Sequence, residues 1–433
     1  MARWNHVFGP RLFKNSTLSY TNYRFLIEAR MRAANETYRF RTTSGITDLS
    51  YKSDFVYSLG RSELQFGTEL TRHRFAPEIS LVQGEWAEGE LNRPEMSPPT
   101  FVLDSRLYAD YLYRPRENLR LQGGLHYNLL RVAGRTYHGL QPRLSLNADL
   151  WPSVAGVRAS YAQTMQFLHL LTNPSLGLPT DLWVPVTDQI PPQRAQQYSV
   201  GVYGTFRKTL QWSVDVYTKS MRHLLEYTEG GAFLTSPGQR WYDRVAVGDG
   251  ASRGVELLLQ KPGEKFSGLL SYTLSRTTRV FKELNNGQPF PYRYDRRHAL
   301  NLSAEYHFTR RRSLQALFTA SNGGFVTIAT QRFAGAPLPL FFDRGSGWRG
   351  DWFTGKLDYF PQRNNLEMPF YHRLDLSYQA SKQKRKGTRT WTLAVYNVYS
   401  QRNAFYLFVH DNRLKKFTLF PIIPSVSYAF RFE

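Results

Sequence analysis

The chain has 433 residues, with 56 Lys plus Arg and 34 Asp plus Glu, which gives a formal net charge of +22. It has no cysteine, which excludes disulfide frameworks, cysteine-ligated metal centres and thiol catalysis. Aromatic residues make up 15% of the chain, which argues against disorder, because disordered chains are poor in aromatic and β-branched residues. No stretch approaches the roughly 18 consecutive apolar residues of a membrane-spanning helix, so a helical membrane bundle is excluded as well.

The N-terminus begins with a predicted strand. Arg3–Phe8 leads into a short polar turn at Gly9–Asn15. The segment Met1–Gly9 has neither an apolar core nor a small-residue cleavage site, so we expect no signal peptide.

Apolar and polar residues alternate with a period of two along the rest of the chain. The pattern is clear in Tyr198–Phe206, Leu300–Phe308, Leu374–Ala380 and Val426–Phe432. Such alternation predicts strands that have one apolar and one polar face. About seventeen strands can be counted in this way, and no segment of comparable length has a helical period. The predicted fold class is therefore all-β.

Two kinds of connection alternate between the predicted strands. The short polar turns lie at Gly9–Asn15, Leu59–Ser62, Arg114–Asn118, Trp151–Ala155, Arg207–Thr209, Lys261–Lys265, Arg310–Ser313 and Ser381–Thr388. The long segments, rich in Pro, Gly and aromatic residues, are Arg74–Thr100, Leu171–Gln196, Glu226–Ser252, Arg276–Arg296 and Gly323–Phe370. Short turns at one end and long loops at the other are typical of a transmembrane antiparallel β-barrel. A soluble β-sandwich is the alternative, and it would need a second set of apolar faces that the sequence does not supply.

The last sixty or so residues carry a more specific pattern. It reads Met368-Pro369-x-Tyr371-His372-Arg373-x-Asp375, then Tyr396-Asn397-x-Tyr399-x-x-Arg402-Asn403, then Phe420-Pro421-x-x-Pro424, and ends on the alternating aromatics before Phe432. This pattern resembles the C-terminal strands of TonB-dependent outer-membrane receptors, and the resemblance runs from about Arg3 to Phe432. The positions that match the family are Tyr371, Arg373, Asp375, Tyr396, Asn397, Arg402, Asn403, Pro421, Pro424 and Phe432.

The resemblance implies that residues 1–433 form one partial barrel domain, without the plug domain and signal peptide that the family carries ahead of the barrel. The final strand of such a barrel runs toward the turn side, and strict alternation gives the strand at Trp4 the same direction. Since barrels of this class have an even number of strands, an odd number would precede Met1. We expect five, so that about seventeen strands of a 22-stranded barrel are present.

We expect no enzymatic activity, no catalytic residue, no metal site and no cofactor. Four tryptophans in the long loops are candidate ligand contacts, because indole rings stack on sugars and planar chelates. They are Trp183, Trp241, Trp348 and Trp352. Packing of the loops against one another is the alternative role for these rings. The dense basic run Lys382–Arg389 lies in a short turn, which predicts a solvated face rather than a nucleic-acid site.

The resemblance implies an outer-membrane receptor for active uptake of a large, scarce ligand, namely a siderophore, a corrinoid or an oligosaccharide. The partners expected from it are outer-membrane lipid and lipopolysaccharide, the barrel-assembly machinery, and TonB through a plug that this chain lacks. No nucleic-acid partner is expected. Alone, the chain is predicted not to transport. An independent, passive porin-like channel of the outer membrane is the alternative function.

Overall fold

A single large antiparallel sheet dominates the computed structural model. The model describes residues 1–33, 36–83, 95–96, 99–151, 154–172, 182–207, 209–228, 241–334, 338–339, 352–353, 356–410 and 413–432. Within these residues the main sheet contains 19 strands, of which Glu95–Met96 and Phe290–Pro291 are two-residue additions. The other seventeen each pair antiparallel with the next along the chain, so the predicted all-β class and strand number are confirmed.

These seventeen strands form the wall of the molecule. In chain order they are β1 (Ala2–Val7), β2 (Leu12–Ala33), β3 (Glu36–Ser58), β4 (Ser62–Gln83), β5 (Thr100–Arg116), β6 (Leu119–Val132), β7 (Arg135–Trp151), β8 (Ala155–Gln166), β9 (Gln193–Phe206), β10 (Leu210–Tyr227), β11 (Val245–Lys261), β12 (Phe266–Val280), β13 (His298–Thr309), β14 (Arg312–Ser321), β15 (Tyr371–Lys384), β16 (Gly387–Tyr396) and β17 (Ile423–Phe432).

Smaller elements lie in the connections. Among the described residues, five two-stranded ladders pair Leu168–Leu171 with Leu182–Pro185, Phe325–Val326 with Leu366–Glu367, Gln331–Ala334 with Lys356–Tyr359, Leu338–Pro339 with Trp352–Phe353, and Ala404–His410 with Arg413–Thr418. The same residues include two short 3-10 helices, Trp241–Arg244 and Asn285–Gly287. Among the described segments there is no helix of the length and apolarity that crossing a membrane would require.

All eight predicted short turns join strands at one end of the sheet, which we call the turn end. The opposite loop end carries the long segments, but two of its connections are only two residues long, a feature that the sequence analysis did not predict. One is Ala133-Gly134, where both residues have positive φ (45° and 81°). This is the geometry that two-residue hairpins favour, because its twist matches that of the strands.

Each strand separates an apolar face from a polar face. On the apolar face, large side chains such as Leu107, Leu144 and Val200 are 57%, 59% and 62% exposed. On the polar face, Asp104 and Asn128 are buried among charged and amide groups. The two-residue period of the sequence produces this division directly, because successive side chains of a strand point to opposite sides.

Apolar packing is concentrated at the loop end of the sheet. One cluster joins Trp241 and Tyr227 to Leu171 and Val184, so that loop residues cover the end of β10. A second surrounds Leu130. A third contains Phe281, Leu284 and Phe290 from the connection after β12, and packs them on Leu224 and Ala246. The loops therefore fold onto the strand ends.

The first and last strands are the edges of the sheet. β1 pairs with β2 and β17 pairs with β16, and in the described part of the chain no pairing joins β1 to β17. Because every neighbouring pair is antiparallel and the number of strands is odd, both edge strands run toward the turn end. The model thus presents the two like-directed edges that the sequence analysis predicted.

Candidate functional site

A cavity of about 720 Å³ lies on the polar face of β3 to β8. His73 of β4 stands between two carboxylates from the flanking strands. Its Nδ1 is 2.8 Å from Asp48 Oδ1, and its Nε2 is 3.9 Å from Asp104 Oδ2. Asp104, which is almost fully buried, also accepts hydrogen bonds from Arg106 Nε and Nη2 at 2.9 and 2.6 Å. The cavity wall is therefore a network of ion pairs that links three adjacent strands.

Similar pairs follow the polar face around the sheet. His126 Nε2 lies 3.0 Å from Asp110 Oδ2. Farther along the sheet, Arg158 Nε donates to Asp215 Oδ1 at 2.6 Å across the strand between them. That strand carries Gly201 at this level, where a Cβ would contact the Asp215 carboxylate. Charges that are neutralised from strand to strand make this face a hydrophilic wall.

Within the part of the chain that the structure describes, no group of three or more His, Asp or Glu side chains is arranged to hold a metal ion.

A buried charge cluster lies at the loop end, and the sequence analysis missed it. Glu226, at the end of β10, accepts from Arg279 Nη1 at 2.7 Å and from Arg363 Nη2 at 3.3 Å. The side chains of Glu226, Arg279 and Arg363 are only 3%, 10% and 4% exposed. The Arg279 guanidinium also lies 3.7 Å from the centre of the Tyr292 ring. A glutamate at the end of an otherwise apolar run, Leu224-Leu225-Glu226-Tyr227, was the available signal.

Hydrogen bonds of Arg363 and Asn364 also hold the longest loop in place. Asn364 Nδ2 donates to the carbonyl oxygen of Pro291 at 2.8 Å, and its backbone N–H donates to Thr327 Oγ1 at 3.0 Å. The Arg363 N–H donates to Asn285 Oδ1 at 2.9 Å. The segment 363–364 is thus fixed to the connection between β12 and β13 through both side-chain and backbone groups.

Several of the family-matching positions meet on β15 and β16. Arg373 Nη1 donates to Tyr371 Oη at 3.0 Å and to Tyr396 Oη at 2.6 Å, and its Nε lies 3.0 Å from Asp375 Oδ2. Asp375 Oδ1 accepts from the Asn397 N–H at 2.9 Å. Asn397 has a φ of 55°, a left-handed conformation that asparagine tolerates better than most residues. These contacts hold the loop ends of β15 and β16 together.

The remaining matching positions lie around that hairpin. Asn403 exchanges two hydrogen bonds with the backbone of His372, at 3.1 and 2.9 Å. The side chain of Arg402 is exposed, and its carbonyl oxygen accepts from Lys416 Nζ. Pro421 follows Phe420, which has positive φ, and Pro424 pairs with Val395 at the start of β17.

Phe432 is the last matching position. It is 77% exposed at the turn end of β17, with its ring 4.8 Å from that of Phe430.

The candidate tryptophans occupy different environments. Trp241 is 6% exposed inside the cluster of Leu171 and Val184. Trp183, one residue before Val184, is half-buried. Trp352 lies in a short ladder, and its side chain is outside the described residues, as is the whole of Trp348. The Trp241 ring therefore packs within the loops.

His169 is a second buried ionisable group of the loops, in the hairpin formed by Leu168–Leu171 and Leu182–Pro185. Gln193 Nε2 donates to His169 Nδ1 at 2.9 Å, which requires that nitrogen to be unprotonated. Burial lowers the pKa of His169 to about 4, with His223 adding to the effect and the backbone at Pro191 opposing it. The histidine is accordingly neutral at neutral pH.

We expect this hairpin to loosen in mild acid. The pKa of His169 is about 4 in the folded hairpin and about 6.5 when it is exposed, so the open form binds more protons as the pH falls from 6.5 to 4. The contribution of neutral His169 to the stability of the hairpin is fully present above about pH 6.5, and about 3 kcal/mol of it is lost by pH 4. Hydrogen exchange of residues 168–171 at pH 5 and 7.5 measures the change. His169→Gln should remove the pH dependence, whereas replacing the exposed His138 by Gln should leave it unchanged.

A protein-family model described as "TonB dependent receptor-like, beta-barrel" matches residues 2–398. No curated protein sequence gives a significant match.

Solved structures resemble the chain at low sequence identity. The ferripyoverdine receptor of Pseudomonas aeruginosa is 14% identical, with a TM-score of 0.59 over 93% of this chain and 52% of its own. The ferric preacinetobactin receptor BauA of Acinetobacter baumannii is 12% identical, with a TM-score of 0.62 over 98% of this chain and 61% of its own. The copper transporter OprC is 11% identical, with a TM-score of 0.61 over 93% of this chain and 59% of its own. The chain thus spans between half and two thirds of the length of these proteins.

Proposed function

Because the chain belongs to the family of TonB-dependent receptor-like β-barrels, we propose that it forms part of the wall of an outer-membrane receptor that actively imports a large, scarce ligand. The observation that carries this proposal is the family match along residues 2–398. The sheet is consistent with it, since its strands separate an apolar face from a hydrophilic one, as a wall between lipid and a water-filled lumen requires.

The ligand class is proposed from the same relationship. Structural neighbours of the chain are described as receptors for ferripyoverdine and ferric preacinetobactin and as a copper transporter. A siderophore, a corrinoid or an oligosaccharide fits a receptor of this type, with Trp183 as the partly exposed aromatic ring of the loops. Trp348 and Trp352 remain candidate contacts. TonB would act through a plug domain supplied by further sequence.

The unpaired edges support the proposal that this wall is incomplete by an odd number of strands. Two edges that run in the same direction cannot pair antiparallel with each other, whereas an odd number of added strands joins both. A passive porin-like channel would require a sealed wall, and in the described residues β1 and β17 are not paired with each other.

Transport by the chain alone tests this proposal. We expect no uptake of ⁵⁵Fe-loaded siderophores, cyanocobalamin or maltodextrins by cells that make only this receptor chain, and no sugar-driven swelling of liposomes that contain it. Uptake that depends on TonB would contradict the proposed incompleteness of the wall. Liposome swelling would instead support the passive channel, and it would overturn the receptor function.

A further inference from the structure

The turns between β11 and β16 lie side by side at the turn end. The His307 N–H donates to the carbonyl oxygen of Lys265 at 2.9 Å, and the Ser381 N–H donates to that of Arg311 at 2.8 Å. Three successive turns and the end of β17 therefore form one continuous border. This border contains the basic run that the sequence analysis assigned to a solvated face.

The charge of this border is almost purely positive. We call it the cationic rim, and its basic residues are Lys261, Lys265, Arg310, Arg311, Arg312, Lys382, Lys384, Arg385, Lys386, Arg389 and Arg431. Within the described residues of these turns and strand ends, Glu264 is the one acidic residue. Each turn in the other half of the sheet carries fewer basic residues than the run at Lys382–Arg389, and Glu63 and Glu117 accompany the arginines at two of these turns. The excess of positive charge at the turn end is thus largest within residues 261–431.

Part of the cationic rim lies on the apolar face rather than in the turns. Arg312 pairs with Ala380, which pairs with Trp391 in the same row of the sheet. In the next row toward the turns, Lys382 pairs with Arg389. Residues paired across antiparallel strands share a face. Three cations therefore lie beside Trp391 on the surface that the proposed function places against lipid.

Aromatic rings lie in the same two rows as these cations. The Trp391 and Tyr428 rings are 4.9 Å apart, and Phe430 pairs with Arg389. The row beyond them is apolar, with Leu314, Leu393 and Val426 all exposed. Trp and Tyr settle at the level of lipid headgroups, because one part of the ring is apolar and another is polar. The cations therefore lie at headgroup level.

One of these arginines has an unsatisfied donor. Arg389 Nε is buried and has no hydrogen-bond partner among the described residues. A buried N–H without an acceptor costs about 1–3 kcal/mol. A phosphate could pair with the rest of this guanidinium through charge-assisted bonds, which are the interaction that guanidinium groups form best.

We propose that Arg312, Lys382 and Arg389 form a binding site for the phosphate of an anionic phospholipid in the leaflet at the turn end. The acyl chains of that lipid lie along Leu314, Leu393 and Val426. A soluble polyanion would contact the turns, but it would not reach cations that lie on the apolar face beside Trp391. The inference rests on the proposed function, because it requires this face to contact lipid.

The absence of cysteine allows a site-specific test. Leu314→Cys places a fluorescent label in the row next to the three cations. Val200→Cys places it in the middle of the wall, in a row of Ala159, Val216 and Val255 that carries no charge. The labelled chain is folded in detergent micelles mixed with phospholipid brominated on its acyl chains, because bromine quenches a label only when the lipid lies against it. Brominated phosphatidylglycerol is compared with brominated phosphatidylcholine.

We expect phosphatidylglycerol to occupy the site at Leu314 at least about 5-fold more tightly than phosphatidylcholine, since one cation near an anionic headgroup already contributes about that factor. The two lipids should be equal at Val200. Replacing Arg312, Lys382 and Arg389 together by Gln should abolish the preference. The matched control replaces Arg311, Lys386 and Arg431 by Gln, which removes the same charge from the turns and the polar face, and it should retain the preference.

Each failure has its own meaning. Equal quenching by both lipids at Leu314, or a preference that survives in the triple variant of the site, overturns the phospholipid site. Absence of quenching by either lipid at Val200 would instead show that the apolar face does not contact lipid, and it would overturn the proposed membrane function.

Discussion

Glu226→Gln is expected to destabilise the packing of the longest loop by about 3–5 kcal/mol, because it removes the buried negative charge that both guanidinium groups contact. The carboxylate lies 2.7 Å from Arg279 Nη1 and 3.3 Å from Arg363 Nη2, and all three side chains are nearly inaccessible to water. The backbone N–H of Arg363 and that of Asn364 report the change directly, since each donates to a side chain of a neighbouring segment. Their hydrogen exchange should accelerate by roughly 100-fold or more.

Two further variants test whether the faster exchange comes from the unpaired buried charge or from any substitution in this region. Glu283→Gln, at an exposed position of the connection after β12, should leave these exchange rates unchanged. Replacing Glu226 by Leu together with Arg279 and Arg363 by Met removes all three charges, and it should recover much of the lost protection, because apolar residues of similar volume often replace a buried ion cluster at little cost. Unchanged exchange in Glu226→Gln would show that the cluster does not hold the loop.

The 433-residue chain is expected to migrate identically on a denaturing gel with and without boiling, because it cannot seal into a barrel by itself. β1 and β17 run in the same direction, and the sheet shows no pairing between them in the described residues. An open edge in hydrocarbon leaves about half of its backbone N–H and C=O groups unpaired, at several kcal/mol each. Direct closure would require a parallel pair, which barrels of this class do not use.

A truncation provides the matched comparison. Removal of residues 1–11 leaves sixteen strands, of which the edges β2 and β17 run in opposite directions. If strand direction is the obstacle, this shorter chain should show a fraction that migrates differently before boiling. A heat-modifiable band from the full 433-residue chain would contradict the prediction, and failure of both chains would attribute the obstacle to curvature rather than to direction.

Most of the wall could be predicted from the sequence alone. The alternation in Leu300–Phe308 and Leu374–Ala380 is repeated in β13 and β15, and all eight short turns lie where polar and Gly- or Pro-containing segments predicted them. These features are local, since the two-residue period of a strand and the conformational preferences of turn residues act over a few positions. Strand direction follows from counting, which is why the like-directed edges were also predicted.

The arrangement of the matching positions in the C-terminal hairpin could be predicted only in part. Tyr371, Arg373 and Asp375 share one face of β15 by their spacing, so the sequence places them together. Their contact with Tyr396 and Asn397 depends on the register between β15 and β16, which the sequence pattern does not state.

Only the tertiary structure decided which distant charges meet. Glu226 and Arg363 are 137 positions apart, and His73 contacts two carboxylates from different strands. The cationic rim likewise becomes one surface only after β14, β15 and β16 pair in register. The physical reason is that such contacts depend on how loops fold back and how strands align, and a one-residue change in register moves a side chain to the opposite face. A local pattern shows which face of a strand is apolar, but it does not show which residues of two neighbouring strands pair.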